Sequence, residues 1–547
     1  MSNRVLIIQL ERAGDTIQST PLMFDVSEDS STSVDLLTVT SSQEIIHGLS
    51  ILNQTFSIAP QTLIDLENAM ASTWRSGKDL PEAVRVLDSL NLPEYDLVIN
   101  LTHSKFGCWL AGKIHATELE GGVITEQGEW LYQSDWHVYL LALMSNRQQN
   151  LFNLVDLYRA SAKKPHPPSS NRHPYVTVAK DSGVSLPTGR KVALNPGASA
   201  EKRRWPRTSY ANLANALHDR GLVPILLGSP ADEQICEEVA AACKHKPPIY
   251  CHTSIPEMAK LLEEIDILVS NDTGAVHIAS AVGTPIVGLY GTFSWYAETA
   301  PWGQGHLILQ APLSKEETPA LEQITVEMVL FAVLERLKEV DLQSLQLTLA
   351  NTTVAAWETF FLPESTDPLG GLAYLPLHGS NLTSEAVFSI ALRHALAWGF
   401  CGGTAPKDTL AYLNEFVTSG KICLSINLME EYTILTRSIG RLITLLGSMA
   451  TGAAQAKDLC SHFGPNTSVS QIRQITLSLT TSLDEAKQAA EKIPVFAPLI
   501  NHLDWKAKNM PLLEPIALFA EHEKQYRRGA SILARAKQMV DCFLKSL

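Results

Sequence analysis

The stretch that decides the fold runs over residues 265–303 and reads IDILVSNDTGAVHIASAVGTPIVGLYGTFSWYAETAPWG. An apolar run at 265–270 is typical of a buried parallel strand. A polar turn follows, then small apolar residues at helical spacing over 275–282 and a second apolar run at 286–290. The pattern predicts a helix N-terminus at the carboxyl edge of a parallel sheet, where an anion such as a diphosphate can bind. The alternative is an ordinary strand-to-helix turn capped by Asp272.

Size and composition limit the possible classes of function. The chain has 547 residues, enough for about three domains of roughly 100–200 residues each. A net charge of −14 argues against nucleic acid as a partner and leaves at most peripheral membrane contact. The eight cysteines are scattered, and no apolar run approaches the ~20 residues that span a bilayer. We therefore expect reduced thiols, no zinc site and a cytoplasmic protein.

The first 165 residues alternate between apolar runs and helical patterns, which predicts a parallel sheet with crossover helices. The runs at 4–10, 34–39 and 96–101 are expected strands, and residues 132–159 are expected to be helical. Asp15 follows the first strand at a helix start, so its carboxylate should lie at the carboxyl edge of the sheet. The alternative is that Asp15 is simply the helix N-cap.

A Pro/Ser-rich break at residues 161–174 separates this domain from a second one, because the strand–helix alternation restarts over residues 175–340. Residues 196–206 form a basic loop, PGASAEKRRWP, directly after a strand. The cations Lys202, Arg203 and Arg204 beside a strand-to-helix turn suit a phosphate. Taken singly, such a triplet is most often a solvated surface run.

Residues 341–547 change to a mostly helical pattern with three apolar seams spaced three and four residues apart. We expect an internal helical bundle attached to the second domain, with a homo-oligomer built through these helices as the alternative. The seams comprise Leu428, Tyr432, Leu435, Ile439, Leu442, Leu446 and Met449; Ile472, Ile475, Leu479 and Ala486; and Leu533, Ala536, Val540, Phe543 and Leu547.

Three motifs give the chain a family resemblance: AGDTIQSTP at 13–21, NPGASAEKRRWP at 195–206 and SNDTGAVHIASAVGTPIVGLYGT at 270–292. In this order they resemble the landmarks of glycosyltransferase family 9, the heptosyltransferases that use ADP-heptose. The resemblance covers roughly residues 1–340. It implies a GT-B fold, in which an acceptor domain over residues 1–165 faces a nucleotide-sugar domain over residues 175–340 across a cleft.

The resemblance also implies roles for single residues. Asp15 matches the family's proposed general base on the acceptor hydroxyl. The expected donor contacts are a diphosphate cradle and polar groups beside it: Thr273 and Gly274 in the cradle, Asp272 and His277 beside the sugar and phosphate, and Asn195, Gly197 and Ala198 in the donor loop.

Two of the implied contacts stay open between neighbouring residues. The family's phosphate-binding lysine stands two residues before the tryptophan, where this chain has Arg203. Lys202 is one residue further away, so both are candidates. A nucleoside-contacting acid is matched by Glu233, with Asp232 equally plausible.

The implied function is an inverting, metal-independent glycosyltransferase that moves a sugar, expected to be heptose from ADP-heptose, to a hydroxyl of a glycan or protein acceptor. Displacing a nucleoside diphosphate needs a base on the attacking hydroxyl and positive potential at the leaving group. The residues above supply both, so no metal or cofactor beside the donor is expected. The alternatives are an epimerase-like enzyme on a nucleotide sugar and a non-catalytic assembly protein that binds one.

Overall fold

The computed structural model describes most of the chain. The described residues are 3–73, 81–126, 128–132, 134–144, 147–162, 173–313, 320–350, 352–362, 366–378, 384–401, 403–418, 427–461, 469–508 and 515–547. Most of the predicted break at 161–174 lies outside these residues, so the domain boundaries stay a prediction.

Within the described residues, the first sheet contains six strands: β1 (Asn3–Gln9), β2 (Thr32–Val39), β3 (Leu52–Ile58), β4 (Tyr95–Asn100), β5 (Ala116–Ile124) and β6 (Trp130–Tyr132). Their order is β3-β2-β1-β4-β5-β6, and only the β5–β6 pairing is antiparallel. The central strand β1 is buried because Val5, Leu6, Ile7 and Ile8 are apolar on both faces. The associated helices are α1 (Ala13–Ser27), α2 (Pro60–Thr73), α3 (Pro81–Leu90), α4 (Lys105–Lys113), α5 (Asp135–Ala142) and α6 (Leu154–Arg159).

Two expectations for this domain are wrong in detail. Residues 132–159 are not one helical segment, since the end of β6, α5, a 3₁₀ turn at Arg147–Gln149 and α6 follow each other. Strand β5 was missed because its first half is only partly buried and carries two glutamates, which breaks the apolar run.

In the part of the chain that the structure describes, the second sheet contains eight strands: β7 (Lys191–Asn195), β8 (Val223–Leu227), β9 (Ile249–Tyr250), β10 (Ile267–Asn271), β11 (Ile286–Tyr290), β12 (Leu307–Gln310), β13 (Ala355–Phe361) and β14 (Leu372–His378). Their order is β14-β13-β12-β11-β10-β7-β8-β9, parallel except for β13 and β14. The helices of this part are α7 (Arg207–His218), α8 (Glu233–Ala242), α9 (Ile255–Glu263), α10 (Gly274–Ala281), α11 (Tyr296–Thr299), α12 (Val326–Arg336) and α13 (Leu342–Leu349).

Both sheets reverse their strand order at one point, between β1 and β4 in the first and between β7 and β10 in the second. Loops that leave neighbouring strands at such a point diverge to opposite faces and open a crevice. Asp15 follows β1, and the basic loop and the 271–274 turn follow β7 and β10. The predicted architecture of two Rossmann-like α/β domains with a GT-B arrangement is confirmed.

The C-terminal helices are α14 (Ser384–Phe400), α15 (Leu413–Thr418), α16 (Leu428–Ser461), α17 (Val469–Lys492), α18 (Ala497–Lys508) and α19 (Pro515–Ser546). Helices α16 and α19 are antiparallel partners: Tyr432 Oη donates to Asp541 Oδ1 at 2.8 Å, and Lys457 Nζ lies 3.1 Å from Glu523 Oε2. The α16 seam is wholly buried, which confirms an internal bundle.

The other two seams are only partly as predicted. Leu479, Ala486, Leu533, Ala536, Val540 and Phe543 are buried and Ile475 is half-buried. In α19, Asp541 already pairs with Tyr432, which lies one turn from the start of α16. Leu547 comes six residues later, beyond the end of α16, and is therefore 52% exposed. The side chain of Ile472 lies outside the described residues.

The bundle is not attached to the second domain alone, contrary to expectation. Strands β13 and β14 extend the second sheet, whereas α18 packs on α5 of the first domain and α19 contacts α5 through Arg528. Asp135 accepts from both Lys506 and Arg528, and Trp505 packs edge-on against Tyr132 at 4.6 Å. The C-terminal region therefore bridges both α/β domains. Within the described residues, no helix is long and apolar enough to cross a bilayer.

Candidate functional site

A cleft of about 1160 Å³ lies between the two α/β domains and collects most of the predicted site residues. The residues in its wall include Asp15, Asn195, Gly197, Ala198, Arg203, Asp272, Thr273, Gly274 and His277. The volume exceeds that of an ordinary small-molecule pocket, for which about 300–1000 Å³ is usual. The cleft therefore has room for two reactants at once.

Asp15 lies in the first turn of α1, on the wall formed by the first domain. The N-cap of α1 is Arg12, so the interpretation of Asp15 as the N-cap is wrong. Asp15 is the third helical residue, and its Oδ2 accepts a hydrogen bond from the Arg12 backbone N–H at 3.2 Å. Its carboxylate is thereby held at the carboxyl end of β1, facing the second domain.

The environment of Asp15 favours proton transfer near neutrality. Burial, with the like charge of Glu11 second, raises the pKa of Asp15 from 3.8 to about 6. The Arg12 backbone N–H and guanidinium act in the opposite direction and are outweighed. A carboxylate with a pKa near 6 can accept a proton from a hydroxyl group held beside it.

The opposite wall contains the start of α10. Its N-cap is Thr273, not Asp272, and no side chain of a described residue caps its first N–H groups. The Thr273 hydroxyl lies 3.2 Å from Ser270 Oγ and 3.5 Å from Asn195 Nδ2. An added Cβ on Gly274 would meet no described atom within 4 Å, so open space lies beside this turn. Uncapped N–H groups facing open space can bind an anion.

Asn271 connects the basic loop to this turn through hydrogen bonds, a role that was not predicted from the sequence. It is fully buried at the end of β10. Its Oδ1 accepts from the Trp205 backbone N–H at 2.9 Å, and its Nδ2 donates to the Gly197 carbonyl at 3.0 Å. The polar turn sequence suggested only local structure, because these partners lie more than sixty residues away.

Arg203 lies in the cleft wall, as does its neighbour Arg204. Its Nη2 donates to Asp272 Oδ2 at 2.6 Å, and its Nη1 lies 3.3 Å from Ser199 Oγ. Its Nε is buried without a hydrogen-bond partner among the described residues. Arg203 is therefore aligned in the cleft wall by an acidic neighbour.

Lys202 points elsewhere. It is exposed, and its Nζ lies 4.0 Å from the centre of the Phe293 ring in a cation–π contact. It does not form part of the cleft wall, unlike its neighbour Arg203. The geometry thus separates the two candidates that the sequence left open.

The two candidate nucleoside-contacting acids, Asp232 and Glu233, also differ in their position relative to the cleft. Asp232 lies in the cleft wall, where its Oδ2 accepts from the Ser229 hydroxyl and backbone N–H. An added Cβ on Gly197 would come within 2.4 Å of the Asp232 carboxylate, which explains why a glycine stands there. Glu233 lies outside the wall and faces His252 Nε2 at 2.8 Å.

His277 joins the two walls at the base of the cleft. The ring is buried, and burial lowers its pKa from 6.5 to about 4, with the charge of Asp272 opposing the shift. It is therefore neutral near pH 7. An added Cβ on Gly14 would lie 2.9 Å from His277 Cδ2, so the starts of α1 and α10 are in close contact.

An ion pair across the cleft was not predicted. Arg147 of the first domain lies 3.3 Å from Glu298 of the second, between Nη1 and Oε1. Burial raises the pKa of Glu298, with the charge of Arg147 opposing it. Neither residue belongs to a recognisable motif, so only the tertiary structure identifies this contact. Among the described residues, no three His, Cys, Asp or Glu side chains converge as a metal site.

Comparison with known families agrees with the motif analysis. A sequence model of glycosyltransferase family 9 (heptosyltransferase) matches residues 84–327. The match contains the second and third motifs, while the first motif precedes it. The predicted resemblance to this family is confirmed.

Curated relatives are heptosyltransferases. The chain is 32% identical to lipopolysaccharide core heptosyltransferase OpsX of Haemophilus influenzae over 104 residues, which cover 18% of this chain and 30% of that protein. It is 34% identical to lipopolysaccharide heptosyltransferase 2 of Escherichia coli K12 over 109 residues, covering 19% and 31%. These matches span about a third of each relative. Lipopolysaccharide heptosyltransferase 3 of Escherichia coli K12 is 24% identical over 310 residues, covering 51% and 79%.

Solved structures give weaker matches. A family 9 glycosyltransferase from Veillonella parvula has a TM-score of 0.49 at 18% identity and covers 62% of this chain and 98% of its own. The ADP-heptose lipopolysaccharide heptosyltransferase II of Escherichia coli has a TM-score of 0.45 at 19% identity, covering 61% and 99%.

Proposed function

We propose that this protein, whose α/β region resembles glycosyltransferase family 9, is an inverting glycosyltransferase that moves a heptose from ADP-heptose to an acceptor hydroxyl. The observation that carries the proposal is the position of Asp15 opposite Arg203 and the start of α10 across one cleft. The acceptor would be a glycan, as the names of the relatives suggest, or a protein.

The reaction needs one proton transfer and one displacement. Asp15 takes the proton of the acceptor hydroxyl while the oxygen forms a bond to the anomeric carbon of the sugar. The bond from that carbon to the diphosphate oxygen breaks, and ADP leaves with the electron pair. Attack from the Asp15 side, opposite the leaving group, inverts the anomeric carbon in a single step.

The leaving diphosphate would be stabilised by the donor wall. The N–H groups at Thr273–Gly274 carry the positive end of the α10 dipole, and Arg203 adds a full charge. Asp272 competes with the diphosphate for Arg203, so donor binding would have to replace or share this contact. In this mechanism the positive potential comes from the protein, and we propose that the transfer is independent of a metal ion.

The test is ADP release from ADP-heptose with and without a lipopolysaccharide core acceptor, in the presence of either Mg²⁺ or EDTA. We expect acceptor-dependent release that is equal in both buffers. Release without any glycosylated product, or conversion of the donor without an acceptor, would favour the epimerase-like alternative. An absolute need for Mg²⁺ would contradict metal independence but leave the transfer itself standing.

A further inference from the structure

The C-terminal region, residues 341–547, contacts both walls of the cleft. On the side of the second domain, β13 pairs with β12, and Tyr374 of β14 donates from Oη to the Ala297 carbonyl at 2.9 Å. Ala297 belongs to α11, which lines the cleft through Glu298. On the side of the first domain, the same region contacts α5 and α6. Two domains joined by a linker move relative to each other unless such contacts hold them together.

The contact with α6, called the α6 contact below, is buried and lies where the chain leaves the first domain. Helix α6 ends directly before the predicted break at 161–174. Asp156 of α6 accepts from Arg393 Nη2 of α14 at 2.9 Å and from the Leu372 backbone N–H of β14 at 3.3 Å. Arg393 also donates to Asp367, and both carboxylates are fully buried. Separating these groups would leave charges unpaired in the interior, so the α6 contact resists opening.

The contact with α5, called the α5 contact below, joins the C-terminal helices to a helix of the cleft wall. Leu140 and Leu141 of α5 line the cleft. At the start of the same helix, Asp135 accepts from Lys506 of α18 and from Arg528 of α19. Two helices of the C-terminal region therefore bind one helix of the cleft wall through a single carboxylate.

Further contacts to α18 flank α5 in the sequence. Before α5, Tyr132 meets the Trp505 ring edge-on with ring centres 4.6 Å apart. After α5, Gln149 Oε1 accepts from Asn501 Nδ2 at 2.9 Å. Helix α18 is thus held before, at and after α5, which fixes its position along the first domain.

Helix α14 connects the two contacts. Arg393 in its middle belongs to the α6 contact, and the Gly399 carbonyl near its end accepts from Arg528 of the α5 contact. Phe388 of α14 also meets Phe496, just before α18, edge-on at 5.8 Å. The C-terminal region is therefore one packed unit between its attachments. A change in cleft width must break the α5 contact, the α6 contact or the pairing of β13 with β12.

We propose that the C-terminal region is a brace that fixes the width of the cleft, with the α6 contact at the hinge and the α5 contact holding the hinge angle. The two α/β domains then keep one relative orientation in solution. The proposal concerns the shape of the cleft and does not depend on the transfer reaction. If the transfer is also correct, Asp15 and the start of α10 face each other at a set distance before either substrate binds.

The test measures the distance between the two α/β domains in solution by pulsed electron paramagnetic resonance. In the full chain, p-acetylphenylalanine carrying a nitroxide replaces Asp88 of α3 and Asn212 of α7, which are both exposed. This labelling chemistry leaves the eight native cysteines unmodified. We expect a single narrow distribution of distances.

The decisive variant breaks the α5 contact. Asp135→Lys places a third cation against Lys506 and Arg528, so the contact becomes repulsive. The distribution should become about twofold broader and shift to longer distances, as for domains joined only by a linker. The matched control is Lys487→Glu, which reverses a charge facing α18 inside the C-terminal region. Lys487 Nζ lies 2.7 Å from Asp504 Oδ1, and its reversal should leave the distribution unchanged.

A milder variant keeps the test decisive if Asp135→Lys does not fold. Trp505→Ala removes only the aromatic contact with Tyr132 and should broaden the distribution to a smaller extent. Thermal unfolding followed by circular dichroism shows which variants are folded. A broad distribution in the unaltered protein, or an unchanged narrow one in every folded α5-contact variant, would overturn the proposal. Equal broadening in Lys487→Glu would do the same.

Discussion

The starts of α1 and α10 have the same local architecture but opposite chemistry. Each follows a central parallel strand, β1 or β10, and each lies at the strand-order reversal of its sheet. The α1 start carries the carboxylates of Glu11 and Asp15, whereas the α10 start leaves its N–H groups uncapped and has Arg203 beside it. In the proposed mechanism, one backbone arrangement therefore presents a base on one wall and an anion site on the other.

The difference comes from side chains that outweigh the helix dipole. A helix N-terminus stabilises a nearby carboxylate by about 0.3–1 kcal/mol and would lower its pKa. The pKa of Asp15 is raised instead, because burial and the charge of Glu11 act more strongly. At α10 the acidic neighbour Asp272 is held by Arg203, which leaves the dipole available to a ligand.

The largest effect is expected from removing the base. Asp15→Asn should reduce acceptor-dependent ADP release by about 10²–10⁴, the usual contribution of a general base. Asp88→Asn, at an exposed carboxylate of the same domain, is the control and should be silent. Near-normal turnover of Asp15→Asn would mean that Asp15 has only a structural role, through its hydrogen bond with Arg12.

The next largest effect is expected on the opposite wall. Arg203→Ala should cost about 2–4 kcal/mol in transition-state stabilisation, measured as kcat/KM for ADP-heptose. Arg203→Lys should recover part of this loss because it keeps the charge. Equal activity of Arg203→Ala and the unaltered protein would show that the diphosphate is held by backbone N–H groups alone.

The contact between the two helix starts can be tested through stability. Gly14→Ala places a Cβ 2.9 Å from His277 Cδ2, so it should lower the free energy of unfolding by about 1–3 kcal/mol in urea denaturation. Gly274→Ala, where a Cβ meets no described atom within 4 Å, is the matched control on the other helix. The cost of Gly14→Ala should shrink when His277 is also changed to Ala, since the clash is then absent.

The pH dependence of transfer should follow the ionisation of Asp15 in the α1 wall. Asp15 must be ionised to act as a base, so kcat/KM should fall as the pH drops through about 6. Glu11→Gln removes a like charge, which should lower the pKa of Asp15 and move this acidic limb to lower pH. A limb that stays in place in Glu11→Gln would mean that burial alone sets the pKa.

The smallest effect is expected at Lys202. Its ammonium group lies over Phe293 and outside the cleft wall. Lys202→Ala should therefore change kcat/KM less than about twofold, in line with an exposed contact. A loss as large as that of Arg203→Ala would reverse the assignment made from the geometry.

The sequence was sufficient for features encoded locally. Apolar runs that end in turn residues located β1, β7 and β10, and therefore Asp15, Asn195 and Thr273 at the sheet edges. The pairing of Arg203 with Asp272 and the Asn271 hydrogen bonds join residues more than sixty positions apart, which no local pattern contains. Strands β13 and β14 were not predicted, because they lie in a region where the long apolar seams of the helices dominate the sequence pattern.

We propose that the two walls divide the work, with the donor on the α10 side and the acceptor proton on the α1 side. The direct measurement is the dissociation constant of ADP-heptose for Asp15→Asn and Arg203→Ala, taken beside their transfer rates. We expect near-normal donor affinity with lost transfer for Asp15→Asn, and clearly weakened donor affinity for Arg203→Ala. Donor binding that falls equally in both variants would contradict it.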